Sequence, residues 1–380
     1  MFSTKKRTYK QHYNEKDSFY KYSSPKFKEQ QALSENLNTD ICIVGGGLTG
    51  ISAALNLADQ GYDVCIVEAN KIGSGASGRN GGQLGIGMRK DQLYLENKFG
   101  FEKAEFFWNV GLDAVKNVTN LISKYNIDCA LKPGILHAGN TKKDYKYFIE
   151  EIEHMKSKYS YDNYEYFDEN SIKDEVNTDQ YYSGLLTKDS FHLNPLKLTY
   201  GLANECLNKN IKIFENSPID KIEEKSDNVL LFSKKAVIKS KKVIVACNGY
   251  LDNLLGSVRN FFMPINNYII ATEPLGEKLA RQIIKRDCGV VDSRFMIDYY
   301  RFSEDHRLLF GGPETLTSKF VNNPVEFVSK RLFRVFPNLK NYKIEFSWGG
   351  TLAISVNRLP VFGTLMNNKL YYAHAYSGHG

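Results

Sequence analysis

The sequence predicts an α/β protein, in which a discontinuous Rossmann-like dinucleotide-binding domain is interleaved with a second domain built on an antiparallel sheet. Three observations carry this. An apolar, β-branched run, Asp40-Ile-Cys-Ile-Val44, leads without a break into Gly45-Gly46-Gly47-Leu48-Thr49-Gly50, and Asp63-Val-Cys-Ile-Val-Glu68 closes the unit. A glycine-dense loop, Gly73-Ser-Gly-Ala-Ser-Gly-Arg-Asn-Gly-Gly-Gln83, follows it. Beyond residue 259, strand signals of a different sheet interrupt the first domain before its last strands arrive.

The first unit reads as βαβ. Gly45 lets the chain turn out of a buried parallel strand, Gly47 leaves room for a pyrophosphate, and Gly50 lets the helix from Leu48 approach the strand closely. Ile51, Ala53, Ala54, Leu55, Leu57 and Ala58 form the apolar face of that helix, and Gly61 stops it. Glu68 ends the second strand about 20 residues on, where a carboxylate accepts hydrogen bonds from both hydroxyls of an adenosine ribose and disfavours a 2′-phosphate. In the next loop the glycines allow backbone to lie flush against a planar ring, while Ser77, Arg79, Asn80 and Gln83 offer polar contacts.

A helix is expected from about Leu93 to Tyr125, apolar at Phe106, Phe107, Val110, Leu112, Val115, Val118, Leu121 and Ile122. A hairpin is expected around Cys129 to Ala138, and a solvated helix over Thr141 to Tyr159 with Phe148 and Ile152 inward. Leu196 to Leu207 reads as a helix and Ile211 to Phe214 as a strand of the first sheet. A meander over Ile219 to Glu223, Val229 to Phe232 and Ala236 to Ile238 leads into the buried strand Lys242 to Ala246. Tyr268 to Ala271, Phe295 to Phe302 and Leu308 to Gly311 supply strands of the other sheet. The expected division is an N-terminal extension (1–37), a nucleotide domain (38–125, 190–258 and 346–380) and a substrate domain (126–189 and 259–345).

At 380 residues with 42% hydrophobic residues the chain can bury two cores. The net charge of +7 is concentrated at Lys5, Lys6, Arg7, Lys10, Lys16, Lys21, Lys26 and Lys28, interleaved with acids and aromatics. That pattern reads as an extension lying on the body, not as a nucleic-acid arm. No apolar run reaches the roughly 18 residues of a membrane span, and no signal peptide is evident, so a cytoplasmic location is expected. The six cysteines are scattered, and no metal site is expected from them.

With Val245-Ala-Cys-Asn-Gly-Tyr250 and Tyr376-Ser-Gly-His-Gly380, these motifs resemble the D-amino-acid oxidase superfamily of flavoproteins, over nearly the whole chain. Asp298-Tyr-Tyr-Arg301, Arg307 to Gly312 and Asn357-Arg-Leu-Pro-Val-Phe-Gly363 are most similar to the bacterial gamma-glutamylputrescine oxidoreductases within it. The resemblance implies non-covalent FAD, held at Gly45, Gly47, Gly50, Glu68, Ser77, Arg79, Asn80, Gly82, Gln83, Ile219, Ala246, Gly249, Gly378, His379 and Gly380. It also implies hydride transfer from an amine's α carbon to flavin N5, with hydrolysis of the imine and return of electrons to oxygen or another acceptor. Arg301 and Arg358 are the candidates for a substrate carboxylate, and Tyr299 and Tyr300 for the pocket wall, with alternation turning only one tyrosine inward. His192 is expected to be structural, and Trp348 to wall the cavity. The alternatives are an oxidase of glycine, sarcosine or D-amino acids, and a catalytically silent flavin-binding protein. The family continues past Ser-Gly-His-Gly into a helix directed at the flavin. A chain ending at Gly380 is therefore expected to be a fragment that holds FAD weakly.

Overall fold

In the computed structural model, residues 18–316 and 319–380 are described. Lys5, Lys6, Arg7, Lys10 and Lys16 lie outside them.

Among the described residues, eight strands form the first sheet and nine the second. At the centre of the first, Leu37–Val44 runs parallel to both Val64–Val67 and Val237–Val245, with Ile43 opposite Ile66 on one side and Ile244 on the other. Lys212–Phe214 extends the sheet beyond Val64–Val67, and Leu370–His374 and Val361–Leu365 extend it at the other edge. Strands covered on both faces must be apolar throughout, and Cys42, Ile43, Cys65 and Ile66 are fully buried. Helix Leu48–Asp59 packs on this sheet through Ile51, Ala54 and Leu55. Ile51 and Leu55 each contribute about 1.5–3 kcal/mol by leaving water. A Cβ on Gly50 would lie 2.0 Å from the Gly45 carbonyl oxygen, so only glycine admits this approach.

Several segments differ from expectation for identifiable reasons. The 93–125 segment divides at Gly100, whose φ of +84° ends Gln92–Phe99 and starts Phe101–Lys124. In the longer helix Ala104, Trp108, Gly111 and Val115 are buried, while Phe106 is 63% exposed. The final leg of the meander and the buried strand are one element, Val237–Val245. No local hairpin forms at 129–138. Lys132–Gly139 instead pairs antiparallel with Ser183–His192 and parallel with Gly289–Asp292, so the second sheet is mixed. Within 295–302 only Tyr299–Phe302 is a strand.

The expected boundary at 346 cuts a strand. Ile344–Ser355 pairs with Phe262–Thr272 along its length, Phe262 opposite Ser355 and Thr272 opposite Ile344, and belongs to the second sheet. Gln83–Leu84 also pairs there, with His192 and Phe191. The glycine-dense loop therefore leaves the first sheet and ends on the second, bringing the two together around one cavity.

No helix among the described residues is long and apolar enough to cross a membrane.

Candidate active site

The cavity has a volume of about 890 Å³ and runs from the end of the first parallel strand, along the glycine-dense loop, to the inner face of the second sheet. At its first end, Gly45 adopts φ +116°, and a Cβ there would meet the Ala246 carbonyl oxygen at 2.7 Å. Gly47 is crowded by Ser77, whose hydroxyl accepts the Leu48 N–H at 2.9 Å and so caps the helix start. The Glu68 carboxylate accepts the N–H groups of Gly46 at 2.7 Å and Asn70 at 2.8 Å. Burial raises its pKa, and these two bonds oppose the shift. Ile219, Ala246 and Gly249 line the same end, while Gly50 lies outside the cavity at the helix–sheet contact.

In the loop, most of the polar side chains that sequence assigns to ligand contact shape the loop itself. The Asn80 amide donates to the carbonyls of Ala76 and Ser77, both at 3.0 Å, and accepts the Gly82 N–H at 2.8 Å. Arg79 Nε donates to Gly349 O, and Gln83 Nε2 donates to Val290 O at 2.9 Å. These bonds brace the loop from within, and Ser77, Arg79, Asn80 and Gln83 line the cavity together with Gly81 and Gly82. Trp348, expected on the wall, sits behind the loop and donates its indole N–H to Arg79 O at 3.0 Å.

At the far end Tyr299 lies on the cavity side. Its ring packs over Gly81, and its phenol donates to Asn267 Oδ1. Nearby stand Glu314, Arg89 and Arg358. Burial raises the Glu314 pKa against the pull of both arginines, and burial, with Arg358 next, lowers that of Arg89. Arg358 and then Arg89 are the cations that act most on this carboxylate, with Arg331 after them. Arg358 is held at φ +61° with its guanidinium 5.8 Å from the Phe295 ring. Across the cavity, helix Lys142–Tyr159 turns Tyr147, Glu151 and Met155 inward, spaced by four. Burial, and then Asp91, pushes the Glu151 carboxyl up to about 7. The 141–159 helix is thus solvated on one side only.

Tyr300 and Arg301 do not reach this wall. Alternation turns Tyr300 into the second core, where it is 1% exposed, stacks on Phe310 and donates to the Tyr181 hydroxyl at 3.0 Å. Arg301 folds back beneath the loop, donating to Gly81 O at 3.0 Å, Phe302 O at 3.2 Å and the Tyr20 hydroxyl at 3.1 Å. Those bonds occupy the guanidinium, and Arg301 is not among the residues that line the cavity. His192 is buried, with Nε2 2.6 Å from Asp287 O, and burial pushes its pKa down to about 3. Arg89, Glu151, Asn267 and Glu314 were missed by sequence reasoning. Arg89, six residues past Gln83, was within reach of the loop motif, but the others have no local signal.

The last residues return to the cavity. Tyr376 and Thr49 share a hydroxyl hydrogen bond of 2.9 Å, His379 Nε2 lies 3.1 Å from Gly87 O, and Gly378, His379 and Gly380 line the wall. The residues present fit FAD. A helix N-terminus opens on the cavity, a buried carboxylate ends the second strand, and a strip of glycine backbone runs from there to the second sheet. Among the described residues no group of three His, Cys, Asp or Glu is placed to hold a metal.

Comparison with known proteins places this geometry. The family model described as "FAD dependent oxidoreductase" (DAO) matches residues 40–380. The chain is 35% identical over 364 residues to gamma-glutamylputrescine oxidoreductase of Escherichia coli, covering 96% of this chain and 85% of that protein. It is also 35% identical over 352 residues to the probable oxidoreductase OrdL of Haemophilus influenzae, covering 92% and 80%. Among solved structures, L-proline dehydrogenase from P. horikoshii superposes with a TM-score of 0.71 at 21% identity, covering 91% of this chain and 90% of that one. The glycine turn, the ribose-side carboxylate and the family match across the cavity-forming residues lead to one conclusion: this chain belongs to the DAO family of FAD-dependent oxidoreductases.

Proposed function

We propose that the protein oxidises the terminal amine of a γ-glutamyl amide, with FAD lying along the cavity. Its pyrophosphate would rest at Gly45, Gly47 and Leu48, its ribose at Glu68, and its ring against the loop backbone from Arg79 to Gln83. When bound, FAD supplies the hydride acceptor. The protein's part is to orient the substrate and to exclude water. Arg358 and Arg89 would take the α-carboxylate and Glu314 the α-ammonium of the glutamyl head, since a hydrogen bond to a charged group contributes about 1.5–3 kcal/mol. Tyr299, packed on Gly81 and hydrogen-bonded to Asn267, would hold the reacting end against the loop.

The observation that carries this reading is the pair of arginines gathered around Glu314 on a wall continuous with the loop. The identity to gamma-glutamylputrescine oxidoreductase supports it. The test is anaerobic bleaching of the flavin by γ-glutamylputrescine, putrescine, glycine and sarcosine in parallel. The reading expects bleaching by the first alone at micromolar concentration. Preferential bleaching by glycine or sarcosine would replace it with the amino-acid oxidase alternative, and bleaching by none with a silent binding protein.

A further inference from the structure

We propose that the short helix Phe19–Ser23, which precedes the family-matched region, is a positioning element for the cofactor loop, with Tyr20 acting through Arg301 and Trp348.

Tyr20 is fully buried and touches the loop by two routes. Along the first, its hydroxyl accepts a hydrogen bond from Arg301 Nη2 at 3.1 Å, and Arg301 Nε donates to Gly81 O at 3.0 Å. The same guanidinium lies 5.6 Å from the centroid of the Tyr20 ring. Along the second, the ring meets Trp348 edge-on at 5.2 Å, and the Trp348 indole donates to Arg79 O at 3.0 Å. The two routes end on the carbonyls of Arg79 and Gly81, one on either side of Asn80. This strip lines the cavity.

A five-residue helix has no stability of its own, so contacts with the body must hold it in place. Phe19 packs edge-on against Phe346 at 5.7 Å, Lys21 Nζ donates to the Tyr200 hydroxyl at 3.1 Å, and Asn194 Nδ2 donates to Ser23 Oγ at 3.2 Å. These contacts fix the helix, and the helix presents one phenol to one arginine. Filling the core would need only the ring. The hydroxyl adds an acceptor for a guanidinium that would otherwise keep a buried N–H unpaired, and that pairing sets the height of Gly81. Tyr20 is therefore a positioning residue, acting on the cofactor through Arg301 and Trp348 without touching it.

The test compares Tyr20→Phe, Tyr20→Ala and the double variant Tyr20→Phe/Trp348→Phe with the parent chain. The readouts are FAD affinity by quenching of flavin fluorescence, the vibronic resolution of the visible flavin band, and the rise in melting temperature that FAD produces over the apoprotein. Tyr20→Phe, which keeps the ring, is expected to weaken FAD binding about tenfold and to blur the flavin band, with a smaller FAD-induced rise in melting temperature. The double variant is expected to match Tyr20→Ala. Should Tyr20→Ala fail to fold, Tyr20→Phe and the double variant decide. Parent-like affinity and flavin spectrum in Tyr20→Phe overturn the proposal. So does a fall in apoprotein melting that leaves the FAD-induced rise unchanged, because the helix would then support the fold alone.

Discussion

Replacing Gly82 with alanine tests the cofactor loop most directly. The residue sits at φ +72°, and an added Cβ would meet Leu193 O at 2.1 Å and Arg301 Nε at 2.9 Å. Leu193 cannot easily retreat, because its own N–H donates to Gly82 O at 2.7 Å and the next residue, Asn194, donates to Cys129 O at 2.7 Å. To reach an ordinary contact of 3.4 Å the loop must move by about 1.3 Å, and only the cavity side is open to it. The left-handed backbone costs about 1–2 kcal/mol for alanine, and losing the Leu193 hydrogen bond costs about 1–3 kcal/mol. Those two costs fall on the apoprotein as well and lower its melting, while the loop, displaced into the space of the ring, is expected to weaken FAD binding at least tenfold. The assay is titration of apoprotein with FAD by fluorescence quenching, alongside thermal melting. Gly61→Ala is the control. It carries similar strain at φ +87°, but nothing lies within 4 Å of its Cβ position, so it should lower melting and leave FAD affinity unchanged. A Gly82→Ala protein that binds FAD as tightly as the parent would refute the assignment of this loop to the cofactor.

Arg358→Met should raise KM for γ-glutamylputrescine by roughly ten- to a hundredfold with kcat nearly unchanged, as measured by steady-state peroxide or dye-reduction assays. Glu151, with its carboxyl near 7, gains charge as pH rises, so affinity for a cationic substrate should improve from pH 6 to 8. Glu151→Gln should flatten that part of the KM profile, and an unchanged profile would remove Glu151 from the substrate site. Tyr300→Phe should lower unfolding stability by about 0.5–1.5 kcal/mol through loss of the Tyr181 hydrogen bond. Denaturant titration measures that loss, and FAD affinity and KM should stay at parent values because Tyr300 faces the core.

The nucleotide end was legible because its signals are local. Strand, turn, helix and the closing carboxylate occupy 40–68, and each follows from backbone sterics or hydrogen bonding within that span. The far end was less so. Alternation says that one of Tyr299 and Tyr300 faces inward but not which one, since that depends on whether Tyr181 or Gly81 lies opposite. Arg301 lies one further along, on the same side as Tyr299, yet its donors are taken by Gly81, Phe302 and Tyr20, the last 281 residues away. The charge-rich run 141–159 looks solvated because no local feature marks the stripe of Tyr147, Glu151 and Met155. Its partners include Trp108 on helix Phe101–Lys124, Tyr164 on the second sheet and Asp91. Strand Ile344–Ser355 precedes the last strands of the first sheet, and only its register with Phe262–Thr272 places it in the second.

The socket of Tyr20 has an implication for biosynthesis. Its walls are Arg301 and Trp348, so a residue near the start of the chain waits for most of the polypeptide to leave the ribosome before it has anywhere to go. Contacts of such long sequence separation form late. The glycine turn and its helix can assemble within the first 70 residues, but the strip from Arg79 to Gly81 is not fully braced until Arg301 and Trp348 have been made. Capture of FAD in its final posture therefore waits for Trp348, and ribosome-bound chains halted before Trp348 should hold the nucleotide loosely.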